Sequence, residues 1–154
     1  MKKAVDILVI GTEPPCPRCD LLGLLLQQEA PEGGNWVLRH CAFDAPEAVQ
    51  LGTALRCRIG TARHVASAAD IHMDWEEVYR LAAGPSGKVA LRPADRWSPE
   101  LDRALEPCRL AAAAAGFLMT PVLVIDGRVV HHGNVPQRES IAALLRKELH
   151  GAGF

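Results

Sequence analysis

The 154-residue chain has no apolar run long enough to cross a bilayer, which takes roughly 20 uninterrupted residues. The longest approach, 110–124, is mostly alanine and is interrupted by Gly116 and Pro121. A dominant charge is also missing: 17 Lys and Arg against 18 Asp and Glu leave a formal net charge of -1. No basic field therefore draws the chain to nucleic acid or to an anionic membrane. Aromatic residues make up only 5% of the chain. Nothing basic is interleaved with Trp36, Trp75 and Trp97 to build a base-stacking platform, so these read as packing residues. No internal repeat is present, and no low-complexity tract beyond the alanines at 111–115. Lys2 and Lys3 precede an apolar stretch that Asp6 interrupts and Gly11 ends, too short for the apolar region of a signal peptide. The expectation is a cytoplasmic protein with neither a membrane nor a nucleic-acid partner.

What is present fits one domain, since single domains commonly hold about 100–200 residues. Residues 4–10 are short, nearly continuously apolar and closed by Gly11, the pattern of a central strand covered on both faces. From Cys16 the spacing becomes helical, with Pro17 at the first helical position and leucines at 21, 22, 24, 25 and 26. That helix should end before Pro31, and 36–43 reads as a second strand. In the middle, 46–56 and 75–83 are helix candidates and 84–87 a loop. Ser98 and Pro99 start a helix running towards Ala115, with Pro107 expected to kink or split it. The basic stretch 56–64 reads as a solvated helix or loop. Asp126-Gly127 between 122–125 and 128–131 signals a tight hairpin, because both central positions of a type I′ turn need positive φ. Pro136 then opens a last helix with Ile141, Leu144, Leu145 and Leu149 on one face.

Of five cysteines, only Cys16 and Cys19 are close together. A cysteine at a helix N-terminus meets unpaired backbone N–H groups and the positive end of the helix dipole, which favour its thiolate. Cys16 is therefore the candidate nucleophile. Cys19, one turn deeper on the same side, is the candidate resolving thiol that attacks a mixed disulfide at Cys16. Pro17 stiffens the intervening pair, and Arg18 either adds positive charge beside Cys16 or points into water. A zinc site is the weaker reading, because Cys41, Cys57 and Cys108 are scattered and form no second close pair. Cys57, His64 and His72 match no common ligand spacing. His131 and His132 read as a surface pair, with a proton donor near the disulfide as the less favoured role. Cys41 and Cys108 read as buried, inert thiols.

Residues 7–12 leading into Cys16-Pro17-Arg18-Cys19, together with 119–130 around Thr120-Pro121 and Asp126-Gly127, and with Gly133-Asn134-Val135-Pro136, resemble the small thioredoxin-like redox-active disulfide proteins. Size and motifs are also similar to the thioredoxin-like (seleno)proteins of organometal-associated gene systems. The likeness covers about 75 residues, 4–41 and 116–150. It implies an α/β thioredoxin-like fold with a mixed four-stranded central sheet flanked by helices. A βαβ unit at 4–43, a helical insertion at 44–115 and a ββα unit at 116–150 would make up a single domain spanning 1–154. It also implies that Pro121 is a cis-proline beside the disulfide, with Thr120 offering its backbone to an extended substrate. Pro17, Arg18, Thr120 and Pro121 are then the substrate-binding candidates.

Two departures from thioredoxins themselves stand out. The residue before Cys16 is Pro15, at the end of Glu13-Pro14-Pro15, where thioredoxins carry tryptophan. Ile10 stands where thioredoxins carry a buried acid, leaving Asp6 or Glu13 as substitutes. The insertion at 44–115 would cover the disulfide, form a partner surface or enlarge the core, the last being the preferred reading. The activity expected is thiol-disulfide oxidoreduction with no organic cofactor and no metal. Its partners would be a protein or small-molecule disulfide and a dithiol reductase. The alternative is a carrier that holds a soft metal or organometal on the same two cysteines.

Overall fold

The structure, a computed structural model, describes residues 3–84 and 92–151. Strand β1 (Val5–Gly11) is buried on both faces, which is why its sequence is nearly continuously apolar. Its odd positions Val5, Ile7 and Val9 share a core with Leu22 and Leu26 of helix α1 (Pro17–Glu29) and with Ile141, Leu145 and Leu149 of α6 (Arg138–Gly151). Its even positions Leu8 and Ile10 pack on the opposite face with Ala48 of α2 (Pro46–Ala54). β1 pairs in parallel with β2 (Trp36–Ala42) and antiparallel with β5 (Val122–Ile125), which pairs antiparallel with β6 (Arg128–His132). The order β2-β1-β5-β6, with helices on both faces, is the mixed four-stranded sheet of a thioredoxin-like fold. The hairpin turn has Asp126 at φ 49 and Gly127 at φ 79, the two positive values the dipeptide demands.

The segment between the two halves is helical, as expected, through α2, α3 (Ala62–Ala69), α4 (Trp75–Ala83) and α5 (Pro99–Ala111). It also contains a strand the sequence did not signal. Within 56–64, read as a solvated helix or loop, Arg58–Gly60 forms β3 and pairs in parallel with β4 (Phe117–Met119). Three residues are too few for a period-2 pattern to register, and a partner almost sixty positions away leaves no local trace. The helices enclose a second core of Val65, Val78, Leu101, Leu105, Cys108 and Met119, so this layer buries apolar surface of its own. Trp75 and Trp97 pack against it, and Trp36 packs against the first core.

Boundaries shift at α5 and α6. α5 runs unbroken through Pro107 and stops at Ala111, short of Ala115, because the chain must turn there into β4. Gly116 supplies φ +81, and the Phe117 N–H donates to Ala112 O at 2.8 Å. α6 begins at Arg138, two residues after Pro136. Of the loop expected at 84–87, only Gly84 lies within the described residues. No helix among the described residues is long and apolar enough to cross a membrane.

Candidate active site

β1 ends at Gly11, and the four residues 12–15 deliver Cys16 to the N-cap of α1, with Pro17 in the first turn. Thr12 holds the turn: its Oγ1 accepts from the Cys16 N–H at 2.9 Å and donates to Pro14 O at 2.9 Å. Glu13–Pro14 is a cis peptide bond. Both thiols are free, with Cys16 partly exposed and Cys19 only 2% exposed. The sulfurs lie 3.1 Å apart, and the Cys19 N–H donates to Cys16 Sγ at 3.4 Å. The Cys19 thiol, acting as donor, pulls the Cys16 thiol down to about 6 against the resistance of burial, with backbone N–H groups of Cys19 and Arg18 and the Arg18 charge assisting. Cys19 is driven the other way, well above an ordinary thiol, by the same hydrogen bond and by burial. A pair with one easily ionised outer thiol and one protonated inner thiol is the pattern of nucleophile and resolving group.

Gly11 makes room for this pair. A Cβ at Gly11 would stand 2.3 Å from Cys19 Sγ and 2.8 Å from Cys19 Cβ, distances no side chain tolerates, so the β1 terminus and the first turn of α1 approach only because this residue is glycine.

Of the two alternatives the sequence left for Arg18, its charge does favour the Cys16 thiolate, but the side chain does not point into water. It is 5% exposed, turned inward, with Nε donating to Asp102 Oδ1 of α5 at 2.7 Å and Nη2 donating to Gly133 O. Asp102 also accepts from Trp97 Nε1 and from the Val135 N–H, both at 3.1 Å. The Gly133 N–H in turn donates to Pro121 O at 3.0 Å. One buried cation thus ties the dipeptide between the cysteines to the helical layer and to the β6–α6 turn. Because its guanidinium is spent on these partners, Arg18 offers no charge to an incoming substrate.

Thr120–Pro121 is a cis peptide bond, and both residues are buried. The expectation that Thr120 presents its backbone to a substrate strand is corrected in one respect: its N–H already donates to Gly60 O at 2.9 Å. The insertion, through β3, occupies that donor. Pro17 is likewise buried, and the exposed residues leading into Cys16 are Glu13 and Pro14.

Neither substitute acid lies under Cys19 as the sequence reading asked. Asp6 shares the even face of β1 with Leu8 and Ile10, away from α1. There Arg39 donates to it through Nε and Nη2, at 2.7 and 2.8 Å, and holds its carboxyl below the usual range. Glu13 instead meets His40 of β2, Oε2 to Nδ1 at 3.3 Å. Asp20, one position beyond Cys19, accepts from Arg92 Nη2 and Nε at 2.6 and 2.8 Å and from the Ala94 N–H at 2.9 Å, fastening the 3-10 turn Pro93–Arg96 across α1. Gly11, Asp20, His40, Arg92 and Asp102 are the residues the sequence reading did not single out. Only Gly11 carried a local signal, as the strand-closing glycine before the motif.

The remaining cysteines and histidines stand apart from this chemistry. Burial pushes the thiols of Cys41, Cys57 and Cys108 up. His131 Nε2 lies 2.7 Å from Asn134 Oδ1, and burial lowers the basicity of His132. His64 accepts the Thr61 N–H at 3.0 Å and its ring lies against Phe43 and Phe117. Among the described residues no three His, Cys, Asp or Glu side chains converge as a metal site.

A family model for the thioredoxin domain matches residues 100–146. That stretch runs from α5 through the β5–β6 hairpin into α6 and contains Thr120-Pro121 but not Cys16 or Cys19. With the sheet topology, the match supports the thioredoxin-like superfamily. No curated protein and no solved structure matches the chain.

Proposed function

We propose that the protein is a thiol-disulfide oxidoreductase of the small thioredoxin-like redox-active disulfide type. Cys16 is the nucleophile and Cys19 the resolving thiol. The observation that carries this reading is the asymmetry of the pair: sulfurs 3.1 Å apart, with the partly exposed one ionising at about 6 and the buried one held protonated. At neutral pH the Cys16 thiolate attacks one sulfur of a substrate disulfide and expels the other as a thiolate, leaving a mixed disulfide on Cys16. Cys19 loses its proton and attacks Cys16 Sγ, forming the internal disulfide and releasing the second substrate thiol. Two electrons have passed to the substrate, and an external dithiol returns them. The exposed Glu13-Pro14 approach and cis-Pro121 supply the substrate contacts in this scheme. The Gly60 bond to the Thr120 amide narrows the strand-pairing mode of recognition.

The test is a redox titration of the purified protein against glutathione, read by thiol trapping in wild type, Cys16→Ser and Cys19→Ser. A reversible two-electron transition that needs both cysteines is expected. A transition that involves Cys57 or Cys108, or none at all, would overturn the assignment. Tight stoichiometric capture of a soft metal ion by the pair would then favour the carrier reading.

A further inference from the structure

Resolution requires a base. Cys19 is 2% exposed, and once Cys16 is locked in a mixed disulfide the outer thiolate is no longer there to share the proton. Ile10 stands where thioredoxins carry a buried acid, and the carboxylate of Asp6 is held by Arg39, so the proton must leave by another route. The residues around Cys19 supply one.

The alternation of β2 puts Trp36, Leu38 and His40 on the face that α1 covers, and Trp36 and Leu38 pack into the core shared with α1. The imidazole of His40 therefore points to the same side of the sheet as Cys19. The space above Gly11 locates it more closely. The point where a Cβ would sit is 2.3 Å from Cys19 Sγ and 3.4 Å from His40 Nε2, so thiol and imidazole border one gap, within reach directly or through one water. The other ring nitrogen faces Glu13, Nδ1 to Oε2 at 3.3 Å. A proton on Nδ1, donated to that carboxylate, leaves the Nε2 lone pair for the thiol. A cleft of about 260 Å³ lined by Pro15, Cys19, Asp20, Leu24, His40 and Arg92 opens beside the pair, giving water access to an otherwise enclosed sulfur.

We propose that His40, oriented by Glu13, is the catalytic base that takes the proton from Cys19 during resolution and returns it when the internal disulfide is reduced. The inference rests on the oxidoreductase reading of the Cys16–Cys19 pair. In the forward step the Cys19 S–H bond breaks and the proton moves to His40 Nε2. The sulfur pair attacks Cys16 Sγ, and the substrate sulfur leaves as a thiolate. In reverse, an external dithiol attacks Cys16 and the departing Cys19 thiolate recovers its proton from the imidazolium. The charged groups around the ring are Glu13 from the loop before α1, Asp20 from α1, and Arg92 before the 3-10 turn, with Asp20 and Arg92 already paired to each other. Arg39 is bound to Asp6 and Glu47 on the other face of the sheet.

The test uses an aromatic disulfide reagent whose leaving group is a stable coloured thiolate, mixed with the full-length reduced protein. Wild type should release colour in two phases, attack by Cys16 and then resolution by Cys19. Because the leaving group departs without a proton, the second phase reports deprotonation of Cys19. Cys19→Ser should give the first phase alone. His40→Ala and His40→Gln should slow the second phase relative to the first by about 10²-fold near neutral pH, the low end of a general base contribution. The deficit should shrink as hydroxide takes over at high pH, and added imidazole should restore much of the rate to His40→Ala. Glu13→Gln should slow it by a smaller factor. Wild-type second-phase rates in both His40 variants, or an equal slowing at every pH without imidazole rescue, would overturn the role of His40. Absence of a second phase in wild type would instead overturn the disulfide reading itself.

Discussion

Cys16 and Cys108 carry the same side chain, and Arg18 pulls both thiols towards ionisation. Their outcomes are opposite. Cys16 caps the start of α1, where the Cys19 thiol and two backbone N–H groups bring it to about 6. Cys108 lies in the last turn of α5, fully buried, and burial pushes it up. At that end of a helix the dipole is negative and the N–H groups are already spent on the helix itself. A nearby cation is thus insufficient to activate a thiol. Hydrogen-bond donors free to turn to the sulfur decide the outcome, and the helix N-terminus provides them.

The comparison breaks most visibly in reactivity. In the native reduced protein, the rate of Cys16 alkylation should rise through a midpoint near 6, while Cys108 should stay unlabelled until the chain unfolds. Cys16→Ser should abolish disulfide turnover, and Cys108→Ser should leave it. Mass spectrometry of pulse-labelled protein checks both, and early labelling of Cys108 would erase the distinction. The same shift has a stability consequence. The folded value of Cys16 is depressed from an ordinary 9.0 to about 6, so its thiolate contribution is fully present above pH 9. That contribution is lost as pH falls from there to 6. Relative to Cys16→Ser, reduced wild type should therefore gain stability as pH rises across that interval.

The link between the two helices is the Arg18–Asp102 pair, with side chains 6% and 13% exposed. Removing one partner of a buried pair strands a charge, at a cost of about 3–5 kcal/mol. Asp102→Ala should approach the upper end, since it also orphans Trp97 Nε1 and the Val135 N–H. Urea denaturation measures this. Arg18→Met combined with Asp102→Leu should recover part of the loss, because neither charge then remains. If Asp102→Ala costs under about 1 kcal/mol, the pair behaves as a surface contact and the helical layer is not anchored through the motif.

How much of this was legible in the sequence follows from the range of each interaction. Strand β1, helix α1 and the Asp126-Gly127 hairpin were readable because burial on two faces, a 3.6-residue leucine pattern and a positive-φ turn each leave local marks. The placement of Cys16 and Cys19 at the start of α1 was readable because a helix N-terminus is set by four consecutive residues, 16–19. Strand β3 was not, since its three residues owe their form to β4. The charge of Arg18 beside Cys16 was readable, but its inward turn was not, because its partner is 84 positions away. His40 gave no sign, because only the register of β2 on β1 brings it over Gly11. The substitute acid was sought at Asp6, which shares the face of Ile10 but lies four positions earlier on β1 and is taken by Arg39, 33 positions away.

Two smaller effects separate contacts of shape from contacts of charge on the α1 side of the comparison. Gly11→Ala places a methyl into Cys19 Sγ. Overpacking of this kind typically costs about 1–3 kcal/mol, and thiol trapping should find the Cys16–Cys19 disulfide harder to close as the sulfurs are forced apart. Arg92→Ala removes the partner of Asp20, but the guanidinium is nearly half exposed, its side chain 46% accessible, and the Ala94 N–H still satisfies the carboxylate. The expected loss is small, as for exposed ion pairs generally, shrinking further in high salt as screening removes what the exposed pair contributes. Disulfide chemistry at Cys16 should continue. If Arg92→Ala instead cost as much as Asp102→Ala, the 3-10 turn would be anchored to α1 through its charge, and the contrast between a buried and a screened ion pair on the two sides of the motif would collapse.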